Sequence, residues 1–493
     1  MKKAIYILMV CCLPAFTACS YKSFEPTQSS NPWKDDYRSV SGMKDYMKWG
    51  TYNVHDPSCK LFGDTFYMYS TDAIFGENKK EIQEKKLPFG YIQVRKSKDL
   101  VHWEFAGWAF REIPQEAKNW VLNNSDGRGA TNIWAPYILQ YNGKYRLYYC
   151  VSAFGKQTSY IGLAESESPE GPWTLKGCVV KTKTGDKMNA IDPSVVTNPE
   201  TGEQWMHYGS YFGGLYCVKL NPETGLTMQD GDQGHLIARR FNGKKNNIEA
   251  PEVIYNPDLK KYFLFVSYDP LMTTYNIRVG RSDKPEGPFM DYNGKDMAEE
   301  EDNFPIITYP YQFNGHKGWA GTGHNTVFSD VNGDYYLASQ ARLSPENHLM
   351  DLHVRQVFWT KDGWPVVSPE RYAATKQMGI GEKDIHGDWE VITIHGDAPL
   401  RELEAGQILW GENLLKPEEV NRSAVVTLHK NKTISGEISG NWTYESGILK
   451  LNTDNKIVEL KVFTGQDWEN EKTTLLFTGL NDRGYSIWGK RIN

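Results

Sequence analysis

Three short acidic motifs hold the side chains of this sequence that are best suited to catalysis. Each motif includes a proline and leads into a strand-forming run: His55-Asp56-Pro57-Ser58, Ala190-Ile191-Asp192-Pro193-Ser194 and Ile248-Glu249-Ala250-Pro251. One such motif alone is typical of a turn. Three carboxylates brought together would raise one another's pKa. Such a group suits cleavage of a glycosidic bond, in which one carboxylate activates water, one carboxyl donates a proton and the third tunes the donor.

Glu249 has the sequence surroundings of a proton donor. The apolar residues Ile248 and Ala250 flank it, and Pro251, which lacks an N–H group, suits the first residue of a strand. A carboxyl at a strand mouth in partly apolar surroundings has a raised pKa, which a general acid needs. A solvated loop glutamate is the alternative that this stretch alone leaves open.

Short aromatic strands recur along the chain and are the elements that must position these carboxylates. Five stretches share a polar turn followed by an aromatic strand: residues 63–70, 142–149, 202–209, 260–267 and 332–339. Four antiparallel strands per unit, repeated five times, predict a five-bladed β-propeller. The innermost strands of a propeller line its axis, so the acidic motifs before them would meet at one end of the central channel. A series of β-sandwiches is the alternative.

The strand pattern changes after the fifth unit. We expect an all-β protein with a five-bladed β-propeller at residues 46–385 and a small C-terminal β-barrel or β-sandwich at residues 386–493. The strands of the second domain are split by Gly, Asn and Asp, and no catalytic set is visible among them. Catalysis is therefore assigned to the propeller.

The first residues have the composition of an export signal. Two lysines precede an apolar run that is too short to span a membrane, and small residues then lead into Cys19. This pattern predicts a lipoprotein signal at residues 1–19, a lipid on Cys19 and a flexible tether at residues 20–45. Phe16 departs from the usual leucine, and ordinary cleavage or an uncleaved anchor are the alternatives. The expected location is the outer membrane of a bacterium, on the cell surface or the periplasmic face.

Charge and cysteine content exclude two classes of protein. The chain has 55 Lys and Arg against 61 Asp and Glu, a formal net charge of −6, so the basic surface of a nucleic-acid-binding protein is absent. Four cysteines follow the signal, Cys59, Cys150, Cys178 and Cys217, without a CxxC pair or zinc-site spacing. Cys150 and Cys217 lie in apolar strand runs, which predicts buried thiols.

His324 precedes the aromatic strand of the fifth unit, within residues 321–327. A histidine at the start of the channel could bind a metal ion, and a hydrogen-bonded core histidine is the alternative. The sequence has no HExxH motif and no cluster of His and Cys, so it does not predict catalytic zinc.

Together these motifs resemble glycoside hydrolase family 43, and within it the endo-α-1,5-L-arabinanases. The likeness spans about residues 50 to 370 and includes, besides the acidic motifs, residues 133–136, 151–156, 208–214 and 323–325. The resemblance implies a five-bladed propeller and an inverting glycosidase. Its expected substrate is arabinan of the plant cell wall, and the expected oligomeric state is a monomer.

The resemblance also implies roles for individual residues. Asp56 would be the general base, Glu249 the general acid, and Asp192 would modulate the pKa of the acid. Inversion requires the base and the acid to lie roughly 6.5–9.5 Å apart, which leaves room for the water. His324 would face a cation at the propeller centre, calcium in arabinanases, held largely through water. The residues expected to contact the substrate are His55, Trp134, Phe154, Tyr211 and Asn325.

Two places depart from the arabinanase pattern and leave the cleavage mode open. Residues 339–343 replace a His or Tyr followed by Asp, and Glu252 stands where an aromatic residue is common. An exo-acting α-L-arabinofuranosidase or arabinanase, or a β-xylosidase of the same family, is the alternative. A non-catalytic surface protein that binds glycans is a third hypothesis, and the presence of all three acids argues against it.

Overall fold

The computed structural model describes residues 24–29, 31–32, 35, 43–72, 84, 86, 89–240, 247–299, 302–344, 350–396, 415–454 and 456–492. The predicted signal with Phe16 and Cys19 lies outside these residues. Within them, none of the helices combines the length and the apolar character needed to cross a membrane.

Four sheets of four strands make up most of the N-terminal domain. The first sheet contains β1 (His55–Phe62), β2 (Thr65–Thr71), β3 (Gln93–Ser97) and β4 (Glu104–Trp108). The second contains β5 (Trp134–Tyr141), β6 (Lys144–Ser152), β7 (Ser159–Ser166) and β8 (Thr174–Thr182). The third contains β9 (Ser194–Thr197), β10 (Gln204–Tyr208), β11 (Leu215–Leu220) and β12 (His235–Ala238). The fourth contains β13 (Ile248–Asn256), β14 (Lys261–Tyr268), β15 (Asn276–Ser282) and β16 (Ile306–Thr308). Each sheet is a meander in which consecutive strands pair antiparallel.

The fifth predicted unit belongs to a larger sheet of seven strands. Its strands are β17 (Tyr311–Gln312), β18 (Trp319–Ala320), β19 (Asn325–Ser329), β20 (Tyr335–Leu343), β21 (Met350–Trp359), β22 (Pro365–Val367) and a two-residue strand from the C-terminal region. Both β18 and β19 pair with the long strand β20, which extends the sheet beyond four strands. The prediction of five four-stranded blades is therefore wrong in number, because the described residues form four such blades.

The first strands of the four-stranded sheets and β19 of the seven-stranded sheet surround a common axis. Strands β1, β5, β9, β13 and β19 contact one another in chain order, and β19 contacts β1. The arrangement is propeller-like, as predicted. Both faces of a sheet are covered by its neighbours, because the adjacent strand residues Tyr148 and Tyr149 point to opposite faces and are both buried. Gly162 leaves the space that the Tyr149 ring fills, since a Cβ atom there would overlap it.

The helical segments are short. The α-helix α1 (Gln115–Asn124) follows β4 and precedes β5 in the chain, and it buries Ala117 and Val121. Among the described residues, three 3₁₀ turns occupy Met43–Lys48, Glu382–Asp384 and Pro417–Glu419. Among the cysteines, Cys59, Cys150 and Cys217 are buried and none of the four described thiols forms a disulfide, which confirms the prediction of buried thiols at positions 150 and 217.

The C-terminal domain is a closed eight-stranded barrel. Its strands are β23 (Gly387–Ile394), β25 (Ala424–Leu428), β26 (Thr433–Gly436), β27 (Gly440–Glu445), β28 (Ile448–Thr453), β29 (Lys456–Asp467), β30 (Lys472–Leu480) and β31 (Ser486–Arg491). Strand β24 (Asn421–Arg422) leaves this series and pairs in parallel with β17 of the seven-stranded sheet. A barrel was one of the two predicted architectures, and its interior is filled by a core that includes Trp389 and Trp442.

Part of the predicted tether lies against the barrel. Phe24 is buried in the barrel core, and its N–H donates to Asp384 at 3.0 Å. Gln28 forms a β-bridge with Lys472. These contacts hold Phe24 and Gln28 against the barrel, because the one large apolar side chain of this stretch finds a buried site.

Candidate active site

The first strands of four sheets begin with the same backbone distortion. In each, a non-glycine residue with left-handed φ precedes a proline: Asp56 (φ 49°), Ala135 (φ 35°), Asp192 (φ 56°) and Ala250 (φ 57°). The pairing of β1, β5 and β13 shifts register at this point. Bulges of this kind re-aim side chains, and left-handed non-glycine residues store strain that is common at functional sites.

At the bulge of β13, Glu249 lies one position earlier than Asp56 and Asp192 do at theirs. Counted from the prolines, Asp56 and Asp192 match Ala250, whereas Glu249 matches His55, one residue earlier. The three acids therefore do not occupy equivalent positions, because Glu249 lies one residue earlier than Asp56 and Asp192 relative to the proline. Its carboxyl nevertheless joins the group, because Glu249 and Asp56 both act electrostatically on Asp192.

Asp56 lies between two histidines. Its Oδ2 is 2.8 Å from His55 Nδ1, and its Oδ1 is 3.1 Å from His324 Nδ1. Burial opposes the ionisation of Asp56, but the two histidines outweigh it and hold the pKa of the carboxyl well below its usual range. Burial works against the charge on His324 as well, yet Asp56 and the other two acids raise the pKa of His324 to about 9. Asp56 is thus ionised, as a general base must be.

Glu249 and Asp192 have the opposite electrostatic character. Ser210 Oγ donates to Glu249 Oε2 at 2.8 Å, and the Ala250 N–H donates to Asp192 Oδ2 at 3.1 Å. Burial raises the pKa of Glu249 against the hydrogen bonds from Ser210 and Tyr275, which favour its charged form. Burial also raises the pKa of Asp192 well above its usual range, and the negative charge of Glu249 acts in the same direction. The pair therefore keeps a proton at pH values where a solvated carboxyl has lost it.

The other predicted site residues lie around this group. Trp134 is partly buried at the start of β5, and its ring meets Phe154 edge-on with centroids 6.2 Å apart. Phe154 itself is 47% exposed. Tyr211 is tied to the fourth sheet because its N–H donates to the Ile248 carbonyl at 2.8 Å. Asn325 is buried at the start of β19, and its side-chain amide has no hydrogen-bond partner among the described residues.

Three hydroxyl groups of the site were missed at the sequence level. The Thr71 hydroxyl donates to Asp56 Oδ2 at 2.8 Å and accepts from the Ala135 N–H at 2.7 Å, so it joins the first two sheets behind the base. Ser210 and Tyr275 act on Glu249 as described above. Ser210 stands inside a segment that carries the family resemblance, which is a usable signal. Thr71 and Tyr275 have none, because strand ends rich in Thr and Tyr are common throughout this chain.

Family models match both domains. Residues 50–365 match the model of glycosyl hydrolases family 43. This chain belongs to that family. Residues 369–489 match the model of a C-terminal lipocalin-like domain associated with it, which agrees with the closed barrel. As a family 43 member the protein is a glycoside hydrolase.

Relatives of this family 43 hydrolase cover one or both of its domains. It is similar to the extracellular endo-α-(1→5)-L-arabinanase of Thermotoga petrophila, with 29% identity over 481 residues that cover 89% of this chain and 93% of the relative. The crystal structure of an endo-1,5-α-L-arabinanase from Thermotoga petrophila RKU-1 superposes with a TM-score of 0.74 at 27% identity, covering 90% of this chain and 99% of that one. The extracellular exo-α-(1→5)-L-arabinofuranosidase of Cellvibrio japonicus is 34% identical over 334 residues, which cover 64% of this chain and 86% of the relative.

The donor groups near His324 fit a hydrated cation. His324 uses Nδ1 toward Asp56, and its other ring nitrogen can face a cation only in the neutral form of the ring, which the positive charge of a bound cation would favour over the protonated form. The adjacent Asn325 adds a buried amide oxygen without a described partner. One imidazole and one amide oxygen are few ligands for calcium, which takes six to eight oxygens, so the remaining positions would be water. In this family 43 enzyme the cation would add positive charge beside Asp56.

A second group of acids lies at the junction of the two domains. Glu370, Asp467 and Glu469 are the only described His, Cys, Asp or Glu residues with the mutual spacing of metal ligands. The Lys490 ammonium lies among them, at 2.9, 3.1 and 2.6 Å respectively. The chain thus supplies its own cation here, and the junction needs no metal.

Proposed function

We propose that this protein is an inverting endo-α-1,5-L-arabinanase that cleaves arabinan of the plant cell wall. The observation that carries the proposal is the division of the mouth acids into an ionised Asp56 and a proton-retaining pair, Glu249 and Asp192. Hydrolysis with inversion needs one carboxylate and one carboxyl at the same bond. The substrate follows from the endo-arabinanase that matches this chain over both domains.

The reaction assigns one step to each acid. Asp56, held by His55 and Thr71, takes a proton from water as the water attacks the anomeric carbon. Glu249 gives its proton to the departing glycosidic oxygen. Asp192 keeps the pKa of Glu249 high while Glu249 is protonated, and its own carboxyl is fixed by the Ala250 N–H. A base and an acid roughly 6.5–9.5 Å apart would leave space for the water.

The walls of the site have the chemistry of sugar recognition. Phe154 presents an exposed ring braced by Trp134, and flat aromatic surfaces pack against the apolar faces of sugars. Tyr211, Asn325 and His55 supply polar groups for hydroxyls. In this proposal these five residues bind the arabinosyl units around the cleaved bond.

The proposal is tested with purified protein on linear 1,5-arabinan. Release of reducing sugar by the wild type, and its loss in Glu249→Gln, is the expected result. No release from arabinan, and no effect of Glu249→Gln on any glycan, would overturn it. Binding of arabinan without turnover in the wild type would instead favour the glycan-binding hypothesis.

An exo-acting enzyme is the second candidate, because the Cellvibrio japonicus exo-α-(1→5)-L-arabinofuranosidase is 34% identical over the propeller region. Product analysis on linear and branched arabinan separates the two. Early oligosaccharides of several lengths indicate endo action, whereas a single short product from the start indicates exo action. A panel with xylo-oligosaccharides tests the β-xylosidase alternative.

The proposal includes a calcium ion held by His324, Asn325 and water. Calcium added to EDTA-treated protein should raise the thermal unfolding midpoint, and a ligand at 100 times its Kd adds about 2.7 kcal/mol of stability. His324→Gln should remove this calcium-dependent increase. An equal increase in both proteins would exclude His324 as a ligand.

The proposal also places the protein outside the cytoplasm, anchored by a lipid on Cys19 and facing the cell surface or the periplasm. The extracellular relatives support export. Cys19→Ser should move the protein from the membrane fraction to the soluble fraction. We further propose that residues 46–385 and 386–493 are the two domains and that the enzyme is a monomer, which light scattering would test.

A further inference from the structure

A largely buried ion pair joins two of the inner strands at some distance from the acids. Lys60 of β1 and Glu252 of β13 pair through Nζ and Oε1 at 3.0 Å, and their side chains are 20% and 4% exposed. Lys60 follows Asp56 by four residues on β1, and Glu252 follows Glu249 by three residues on β13. The pair therefore connects the strand of the proposed base to the strand of the proposed acid.

Both members of this pair also bind β19. The Val327 N–H donates to Glu252 Oε2 at 2.9 Å, and the Thr326 hydroxyl donates to Glu252 Oε1 at 3.3 Å. The Lys60 ammonium donates to the Val327 carbonyl at 3.2 Å. Strand β19 directly follows His324, whose ring contacts the carboxylate of the proposed base. The ion pair thus binds the strand that places this histidine.

Further contacts of Lys60 extend the connection to the other two inner strands. Its Nζ lies over the ring of Tyr137 on β5, 5.1 Å from the centroid, which is within the range of cation–π attraction. The Tyr137 hydroxyl donates to the Val195 carbonyl of β9 at 2.9 Å. Polar contacts therefore link β1, β5, β9, β13 and β19 around the axis. We call the five residues that make them the axial ring: Lys60, Tyr137, Val195, Glu252 and Val327.

A cavity lies beside the axial ring, on the side away from the acids. It has a volume of about 410 Å³ and is lined by residues near the ends of β1, β5, β13 and β19, among them Phe62, Leu139, Ile254 and Phe328, as well as by Lys60. The acids lie at the opposite ends of these strands. Because side chains do not fill this space, the spacing of the inner strands at this level depends on the contacts of the axial ring.

We infer that Lys60 and Glu252 are positioning residues for hydrolysis. By tying β1, β13 and β19 together, they hold the Asp56 carboxylate, the Glu249 carboxyl and the His324 ring at the mutual distances that the reaction needs. The inference rests on the proposed function. Neither residue has to touch the substrate, because the effect passes through the strands. Accurate placement matters, since a displacement of about 1 Å can lower a rate roughly 100-fold.

The test breaks the ion pair in the full-length enzyme and measures kcat and KM on linear arabinan. Lys60→Met leaves the Glu252 carboxylate without its cation. We expect kcat to fall about 10- to 100-fold while KM stays within about twofold, because the groups proposed to bind sugar are outside the axial ring. Lys60→Arg keeps a cation beside Glu252 and should recover most of the lost kcat.

A double variant separates positioning from stability. Glu252→Leu combined with Lys60→Met replaces the ion pair by apolar side chains, which removes the unpaired buried charge and should return part of the lost stability. We expect kcat to stay low, because leucine cannot accept the hydrogen bond of the Val327 N–H. Recovery of kcat together with the urea unfolding midpoint would show that the pair serves stability alone and would overturn the inference.

The matched control is a buried ion pair inside one sheet. Arg146 Nε of β6 lies 2.9 Å from Glu165 Oε1 of β7. Arg146→Met should lower the urea midpoint and leave kcat within about twofold of the wild type, at a temperature where the variant is folded. An unchanged kcat in Lys60→Met, or an equal fall in Arg146→Met, would overturn the inference. A wild-type enzyme inactive on arabinan would instead overturn the proposed function, so the two failures are distinguishable.

Discussion

Two groups of three acids in this molecule invite comparison, one at the channel mouth and one at the domain junction. At the mouth Asp56, Asp192 and Glu249 surround His324, and at the junction three acids surround Lys490. Both groups contain carboxyls whose pKa values move in opposite directions. At the junction burial and the neighbouring acids raise the pKa of Glu370 well above its usual range. The Lys490 ammonium overcomes burial and lowers the pKa of Glu469 to about 2.

The two groups differ in the source of their positive charge. At the junction the Lys490 ammonium, whose side chain is 1% exposed, supplies the charge, whereas at the mouth it lies on His324, whose side chain is 12% exposed. Exposure of the acids does not separate the groups, because Glu469 is 10% and Asp56 13% exposed. Perturbed pKa values alone therefore do not identify an active site in this protein, and the match of residues 50–365 to the family 43 model decides between the two groups.

The largest expected effect separates the two groups by activity. Glu249→Gln should lower kcat on linear arabinan by about 10²- to 10⁴-fold, because a positioned proton donor contributes this much. The matched substitution at the junction, Glu370→Gln, should leave kcat within about twofold of the wild type, since the rate constant does not depend on that carboxyl. Initial rates of reducing-sugar release measure both. A comparable loss in Glu370→Gln would remove the distinction.

The converse experiment separates the groups by stability. Lys490→Met leaves the three junction acids without their cation, and breaking a buried ion pair by removing one partner costs about 3–5 kcal/mol. We expect the urea unfolding midpoint to fall accordingly, while kcat at a temperature where the variant is folded stays close to that of the wild type. A variant that unfolds normally but has lost its activity would contradict the structural role of Lys490.

A smaller effect concerns the support behind the base. Thr71→Val keeps the shape of the side chain and removes the hydroxyl that bonds Asp56 Oδ2 and the Ala135 N–H. A hydrogen bond to a charged group is worth about 1.5–3 kcal/mol, so kcat/KM on arabinan should fall by roughly 10- to 100-fold. Thr478→Val is the control, because the Thr478 hydroxyl bonds the Val367 carbonyl between the domains at 2.7 Å. It should change stability and not kcat/KM.

The smallest effect is a shift in the pH profile. The proposed reaction requires Asp56 ionised and Glu249 protonated, so we expect activity to be lost as pH falls through the lowered pKa of Asp56 and as pH rises through the raised pKa of Glu249. The Ser210 hydrogen bond favours the charged form of Glu249. Ser210→Ala therefore raises the pKa of Glu249 further, and the alkaline limb of kcat/KM should move to higher pH. A shift to lower pH would show that Glu249 is not the group being titrated.

The parts of this molecule that can be predicted are those determined by residues close together in the sequence. Polar turns before aromatic runs specify antiparallel hairpins, and an acid near a proline marks a strand start. The distance of Glu249 from Pro251 is readable from the sequence, whereas the left-handed conformation of Ala250 is not, because it is imposed by the surrounding sheet rather than by a glycine. The strand repeat predicts that the three acidic motifs converge. The β-bulges, which the sequence does not show, determine the exact position of each carboxyl.

The parts that escaped prediction depend on contacts between distant segments. Nothing near Asn421 indicates that it would pair with Tyr311 and enlarge the fifth sheet. Nothing near Lys490 indicates that its ammonium would meet Glu370 across the domain boundary. Such pairs form because burying an unpaired charge or an unpaired strand edge is costly, and that cost is visible only when the whole fold is assembled.

The parallel pairing of β24 with β17 has a consequence for dividing the protein into parts. A chain ended after Val367 would lack Glu370 and its partner Lys490, leave the edge of β17 uncovered, and offer a ready template for strands of other molecules. The catalytic domain of this protein is therefore not a detachable module. If its barrel were exchanged for that of a relative, the exchange would have to include β24, because this strand covers the edge of β17.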